Sequence, residues 1–208
     1  MQLTEEFFQS VGITITQPAK GHRYGEESID LAKFCKALPK DRVCEFGSGS
    51  GVISIYLAAR WRPFSITGVE IQKELFEIAG ANLLKNDLKS RVRFINADYR
   101  NFANETPGSF EHVVVNPPFY AQGSGRKSSC QQRLLARHEI HGSLAQLLQS
   151  AQKVLTPDGM LWMIFLNSRK DELLAKSFDA GFRLEKTAPS SNSTFLTAFS
   201  FHGPVKRP

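Results

Sequence analysis

The stretch Arg42-Val43-Cys44-Glu45-Phe46-Gly47-Ser48-Gly49-Ser50-Gly51 decides the fold. Arg42 to Cys44 reads as a short strand, Glu45 to Gly51 as a glycine loop, and the apolar run Val52 to Ala59 as a helix. Strand, glycine turn and helix form the first half of a nucleotide-binding βαβ unit. Gly47, Gly49 and Gly51 supply positive φ where backbone must approach a ligand. Their spacing departs from the dinucleotide fingerprint, because the glycines alternate and the sixth position is Val52. Glu45 is equally foreign to a pyrophosphate site, since a carboxylate there repels phosphate. It suits a ligand with an ammonium group.

Working outward, Ser65 to Glu70 reads as a second strand ending in an acid, about 20 residues past the loop, where a carboxylate accepts from ribose hydroxyls. Arg91 to Asp98 reads as a third strand, with Asp98 placed to accept from an adenine amino group. S-adenosylmethionine carries a sulfonium, an ammonium, a ribose and an adenine but no phosphate, and it meets these requirements. Each acid by itself reads more readily as a solvated loop residue; it is the series of polar strand ends that points to a ligand. Ligands of open α/β sheets bind at the carboxyl ends of strands.

The fourth strand, Phe110 to Val115, runs into Asn116-Pro117-Pro118-Phe119. Two prolines cannot continue a strand, since neither offers an N–H and both fix φ. The turn holds an amide and backbone carbonyls stiffly beside one flat apolar ring. That set fits a planar group with an exocyclic amine; alone, it also fits a strand-ending turn with a buried Phe119.

Elsewhere the pattern alternates β and α. Helices are expected over Gln72 to Asn86, Gly142 to Leu155 and Asp171 to Ala180, with a turn at Thr156-Pro157-Asp158-Gly159 and a strand from Met160 to Leu166. Phe182 to Lys186 and Thr194 to Phe201 alternate more strongly, as an antiparallel edge pair would. Residues 1–40 read as an N-terminal extension packing on the cofactor site, and 41–208 as the main domain. Within the extension, Val11 to Thr16 alternates as a strand, and Ser28 is placed to cap a helix reaching Pro39.

The chain has 208 residues, a net charge of +6 and 41% hydrophobic residues, enough for one domain core. Cys35, Cys44 and Cys130 are odd in number and widely spaced, against a disulfide framework or a zinc site. That usage and the absence of a leader-like N-terminus point to a reducing, cytoplasmic setting. The longest apolar run, Met160 to Leu166, is far too short to span a bilayer. His138-Glu139-Ile140-His141 lacks the i, i+4 spacing of a metalloprotease helix, so no metal is expected. Between Phe119 and His138 the chain carries Arg126, Lys127, Arg133 and Arg137 and no acid. This reads as a solvated basic loop or as phosphate contacts beside the Asn116 turn.

The series resembles class I S-adenosylmethionine-dependent methyltransferases. The resemblance implies a doubly wound, seven-stranded, mostly parallel sheet with one antiparallel strand. It implies that Gly47, Gly49 and Gly51 hold the methionine part of the cofactor, Glu70 the ribose and Asp98 the adenine, with Glu45, Ile71 and Asn116 also at the cofactor; Tyr24 reads equally as a cover over the cofactor and as a packed aromatic at a helix entrance. Asn-Pro-Pro with an aromatic resembles the signature of amino methyltransferases. Lys20-Gly21-His22-Arg23-Tyr24-Gly25, Asn116 to Tyr120, and Arg133 to Glu139 together resemble bacterial tRNA adenine-N6 methyltransferases that act beside the anticodon of a valine tRNA, at adenine-37. Asp30 stands where that group usually has an aliphatic residue. Asn116 and Pro117 are then the groups that hold the target amine, Phe119 stacks on the base, and Lys20, Arg23 and the basic loop, with Lys206 and Arg207, grip RNA. Methylation of rRNA, at adenine N6 or guanine N2, and of protein glutamine are the competing readings.

Overall fold

The computed structural model describes residues 2–20, 23–117, 142–191 and 193–202. An N-terminal hairpin, β1 (Leu3–Phe8) and β2 (Ile13–Pro18), precedes α1 (Glu26–Phe34). Then follow β3 (Arg42–Phe46), α2 (Val52–Trp61), β4 (Ser65–Glu70), α3 (Lys73–Lys85), β5 (Val92–Asn96), α4 (Tyr99–Glu105) and β6 (Phe110–Val115). After the segment outside the described residues come α5 (Leu144–Val154), β7 (Leu155–Leu166), α6 (Lys170–Asp179), β8 (Phe182–Pro189) and β9 (Thr194–Phe201). The main sheet has seven strands in the order β5-β4-β3-β6-β7-β9-β8. The run from β5 to β7 is parallel, and β9 pairs antiparallel with both β7 and β8.

Period-two alternation divides the core into two layers. Val43, Val114, Trp162 and Ile164 face one layer with α1 and α2. Cys44, Phe46, Val113, Val115, Leu161, Met163 and Phe165 face the other with α5. Both faces are covered, which is why these central strands read as nearly unbroken apolar runs. Ser143 and Gln146 form a capping box that starts α5.

Several local expectations shift. Gly25, not Ser28, holds the N-cap of α1, and the helix stops at Phe34 rather than at Pro39. Ser28 lies in the first turn and points inward, 4% exposed. Thr156 to Gly159 is a bulge within β7: the pairing jumps from Phe110–Leu155 to His112–Met160, with Asp158 at φ 62. The third strand ends at Asn96, and Asp98 caps α4 instead. Strand β1 carries no strand signal of its own, since its side chains are almost all exposed; it exists because β2 offers it an edge.

The hairpin is bound to the main body through side-chain amides. Asn82 on α3 and Asn86 at its C-cap, one turn apart, each exchange two hydrogen bonds with the β2 backbone at Thr16 and Thr14, at 2.7–2.8 Å. The pair acts as a short extra strand edge. Asn82 also donates to the Ser50 carbonyl in the glycine loop, at 2.9 Å.

Candidate functional site

Strand β3 connects rightward through α2 to β4, while its other neighbour β6 leads toward β7, so the connection order reverses between β3 and β6. Such a switch point opens a crevice at the carboxyl ends of the strands. Phe46 pairs with both Val69 and Val115. The next residues, Gly47, Glu70 and Asn116, therefore leave three adjacent strands at one level. Glu70 and Asn116 are two inter-strand spacings apart, about 10 Å. The register thus gathers at one rim the residues that the sequence analysis singled out separately.

The glycine loop adopts the backbone that its composition requires. Gly47, Gly49 and Gly51 have φ of 70, 55 and 83°. At Gly51 a Cβ would also lie 2.6 Å from Phe94 Cζ. Gly47 N and Ser48 N donate to the Val69 carbonyl, which ties the loop to β4. The Glu70 carboxylate accepts from Gly49 N and Gln72 N, each at 2.8 Å. Asn96 braces this corner by donating to the carbonyls of Glu70 and Ile71. Ile71 itself is 38% exposed, an apolar side chain at the rim. The Ser48 hydroxyl is buried with no hydrogen-bond partner among the described residues.

Glu45 is the last residue but one of β3 and is buried, so it does not stand free in the loop. Its carboxyl accepts from Ser54 N at 3.0 Å and Ser54 Oγ at 2.5 Å, on α2. Burial pushes its pKa up to about 8 against the lowering effect of Ser54, and the charge of Glu70 adds to the rise. Burial also raises Glu70, opposed by the amides of Gln72 and Gly49. Among the described residues no cationic side chain pairs with either acid. Two acids that resist ionisation and an unmet hydroxyl fit a ligand that brings positive charge and hydroxyl groups. S-adenosylmethionine is such a ligand.

Asn116 follows β6 and is half-buried, and Pro117 is buried. The Asn116 amide donates from Nδ2 to Ser28 Oγ at 3.0 Å. Ser28 carries no mark of this role in the sequence, since nothing in a lone serine at a helix start marks a partner 88 residues away. Asn82, Asn96 and Ser54 were missed for the same reason. Asp30, the departure from the resembling group, accepts from Ser190 Oγ at 2.8 Å, so its carboxylate anchors α1 to the turn between β8 and β9.

Other expected residues are engaged differently. Asp98 accepts from Arg100 N at 2.8 Å and pairs with the Arg100 guanidinium at 2.5 Å. Tyr24 packs on Phe8 and donates to Glu6 at 2.9 Å, an arrangement that, with burial, drives its phenol pKa up. Arg23 donates to Thr4 Oγ1 and the Pro18 carbonyl, bracing the hairpin. Lys20 is exposed. Pro118, Phe119, Arg126, Lys127, Cys130, Arg133, Arg137, His138, Glu139, Lys206 and Arg207 lie outside the described residues.

Comparison with known proteins places these observations. The family model described as the methyltransferase small domain matches residues 26–188. The tRNA1(Val) (adenine(37)-N6)-methyltransferase of Tolumonas auensis is 28% identical, over 83% of this chain and 71% of that protein. The protein of the same name from Flavobacterium johnsoniae is 26% identical, over 93% of this chain and 84% of its own length. Among solved structures, the tRNA m1G37 methyltransferase of M. jannaschii superposes with a TM-score of 0.69 at 14% identity, covering 96% of this chain and 57% of that one. The chain belongs to the methyltransferase small-domain family, and it is an S-adenosylmethionine-dependent methyltransferase.

Proposed function

We propose that this member of the methyltransferase small-domain family methylates the exocyclic N6 of an adenine in tRNA, and that the target is adenine-37 of a valine tRNA. The observation that carries the reading is Asn116, level with Gly47 and Glu70 at the switch point, with its Nδ2 turned to Ser28. An amide held by its nitrogen offers its oxygen to a partner, and an amine with N–H donors is the partner that the site needs. The printed names of the relatives supply the adenine and the tRNA.

When bound, the cofactor supplies an electrophilic methyl group on a sulfonium. The residues of the chain position the acceptor. Asn116 Oδ1 and the Pro117 carbonyl accept the two N–H bonds of the adenine amine. That draws the nitrogen lone pair out of conjugation and aims it across the rim. Much of the acceleration is then positional. No strong general base is needed, because the alkylated nitrogen loses one proton readily to water. Glu70 takes the ribose hydroxyls, exposed Ile71 covers the adenine of the cofactor, and Gly47 and Gly49 leave room for the methionine part. Glu45 balances positive charge from beneath the loop, without direct access to solvent. Asp98, capping α4 with Arg100 over it, takes the cofactor adenine amine only by sharing its oxygens with that pair. Tyr24 and residues 1–40 shape the cofactor side through the chain β2, Asn82 and Ser50.

Phe119 stacks on the target base, a contact worth about 1–3 kcal/mol. The base must leave its stack, as in an anticodon loop. Lys20, Arg126, Lys127, Arg133 and Arg137 meet the phosphates, and Arg23 does so only where its hairpin bonds allow.

The test uses tRNA transcribed without modification and labelled cofactor, digested to nucleosides. Label in N6-methyladenosine is expected, and Asn116→Ala is expected to lower turnover at saturating cofactor by about 10²–10³. Label in N2-methylguanosine, or only in protein, overturns the reading. A near-normal rate for Asn116→Ala overturns the role of the amide.

A further inference from the structure

We propose that Ser28 is a positioning residue for methyl transfer: it holds the Asn116 amide by Nδ2, with Oδ1 left for the substrate amine. The inference rests on the role given to Asn116 above. Ser28 is 4% exposed, in the first turn of α1, and its Oγ lies 3.0 Å from Asn116 Nδ2. A side-chain amide has two nearly isosteric orientations that differ by a half-turn. One presents an acceptor to the crevice and the other presents two donors. An adenine amine needs acceptors, and the donor orientation would set N–H against N–H. Asn116 follows a strand and precedes Pro117, so backbone geometry fixes where the amide sits but not which way it is turned. The hydroxyl on α1 anchors the side chain: it takes Nδ2, which leaves Oδ1 for the substrate amine.

The placement of that hydroxyl is itself secured. Helix α1 is buried along Leu31 and Ala32 against the first core layer. Asp30, two residues on, accepts from Ser190 in the turn between β8 and β9. Phe34 packs edge-on against Trp162 at 5.8 Å between centroids. The helix is therefore pinned to β7 and to the β8–β9 turn, and Ser28 is presented to the end of β6 from a fixed element. This explains why a buried serine, rather than alanine, occupies a helix position whose N-cap is already filled by Gly25.

The test is a double-mutant cycle with Ser28→Ala and Asn116→Ala, read as single-turnover methylation of unmodified tRNA transcripts. Ser28→Ala is expected to lower the rate about tenfold, the effect of one net hydrogen bond. KM for the cofactor and the melting temperature should stay near wild type, and Ser28→Thr should restore the rate because the hydroxyl returns. In the Asn116→Ala background, Ser28→Ala should cost nothing further. Additive losses in the cycle, or a Ser28→Ala rate equal to wild type while Asn116→Ala is crippled, overturn the proposal and leave the role of Asn116 intact. An Asn116→Ala rate near wild type instead removes the premise.

Discussion

The two ends of the central strands bury polar groups in opposite ways. At the amino end, Asp41 and His112 are joined at 2.9 Å, and Trp162 Nε1 donates to His112 Nδ1 at 3.0 Å. Because Nδ1 accepts from Trp162, Nε2 carries the hydrogen toward Asp41. Asp41 also accepts from Leu38 N. Asp41, His112 and Trp162 Nε1 thus each have a partner of the right kind. At the carboxyl end, Glu45 and Glu70 have only amide and hydroxyl donors, both resist ionisation, and the Ser48 hydroxyl has no partner among the described residues. The closed network stabilises the fold. The open one leaves its requirements for a ligand, and it coincides with the switch point.

The sharpest way to break this contrast is to exchange the effects. Glu70→Ala should weaken cofactor binding about 100-fold, the loss of two charge-assisted hydrogen bonds, measured by calorimetry. It should leave the free protein about as stable as before, because the lost carboxylate was buried at a cost. His112→Ala should do the reverse. Stability to urea should fall by about 2–3 kcal/mol, since Asp41 and Trp162 Nε1 lose their partner, with cofactor affinity unchanged. If His112→Ala abolishes cofactor binding in folded protein, the division between the two ends is wrong.

A subtler effect concerns pH. Glu45 titrates near 8 in the folded chain and near 4.5 as an ordinary carboxyl group. Between those values the folded state binds the extra proton, so this group stabilises the free protein most at low pH and loses that contribution as pH rises toward 8. Thermal melts of the free protein should fall over that window, and Glu45→Gln should flatten the slope. Cofactor affinity should move oppositely, rising as Glu45 ionises, and a Glu45→Gln protein that keeps the wild-type slope would remove Glu45 from the argument. The smallest effect is expected at Lys20, exposed beyond β2. Lys20→Ala should reduce the salt dependence of tRNA binding by about one phosphate contact, roughly 0.9 in the log–log slope.

The legible parts of this molecule were those in which neighbours in sequence state their own geometry. Alternating glycines after Glu45-Phe46 announce positive φ, and the structure has it at all three. Three valines before Asn116 announce a strand buried on both faces, and β6 is one. The strong alternation of Thr194 to Phe201 marked an antiparallel strand, and β9 pairs antiparallel on both sides. The less legible parts depended on distant partners. Strand β1 has no apolar face to signal it. Asp98 reads as a strand end until α4, too short for a clear helical period, makes it a cap. Glu45 reads as a loop acid until α2 folds Ser54 over it.

Sequence by itself therefore determined the order of the strands and helices apart from β1 and α4, the glycine loop and the identity of the polar residues at the strand ends, because hydrophobic period and backbone φ are local properties. Only the tertiary structure decided which of those residues meet. Strand register sets Glu70, Gly47 and Asn116 level, Ser28 meets the Asn116 amide from another element, and Arg100 and Glu6 engage Asp98 and Tyr24. Hydrogen bonds between distant segments form only once burial has fixed both partners in space, and no pattern along the chain encodes that meeting.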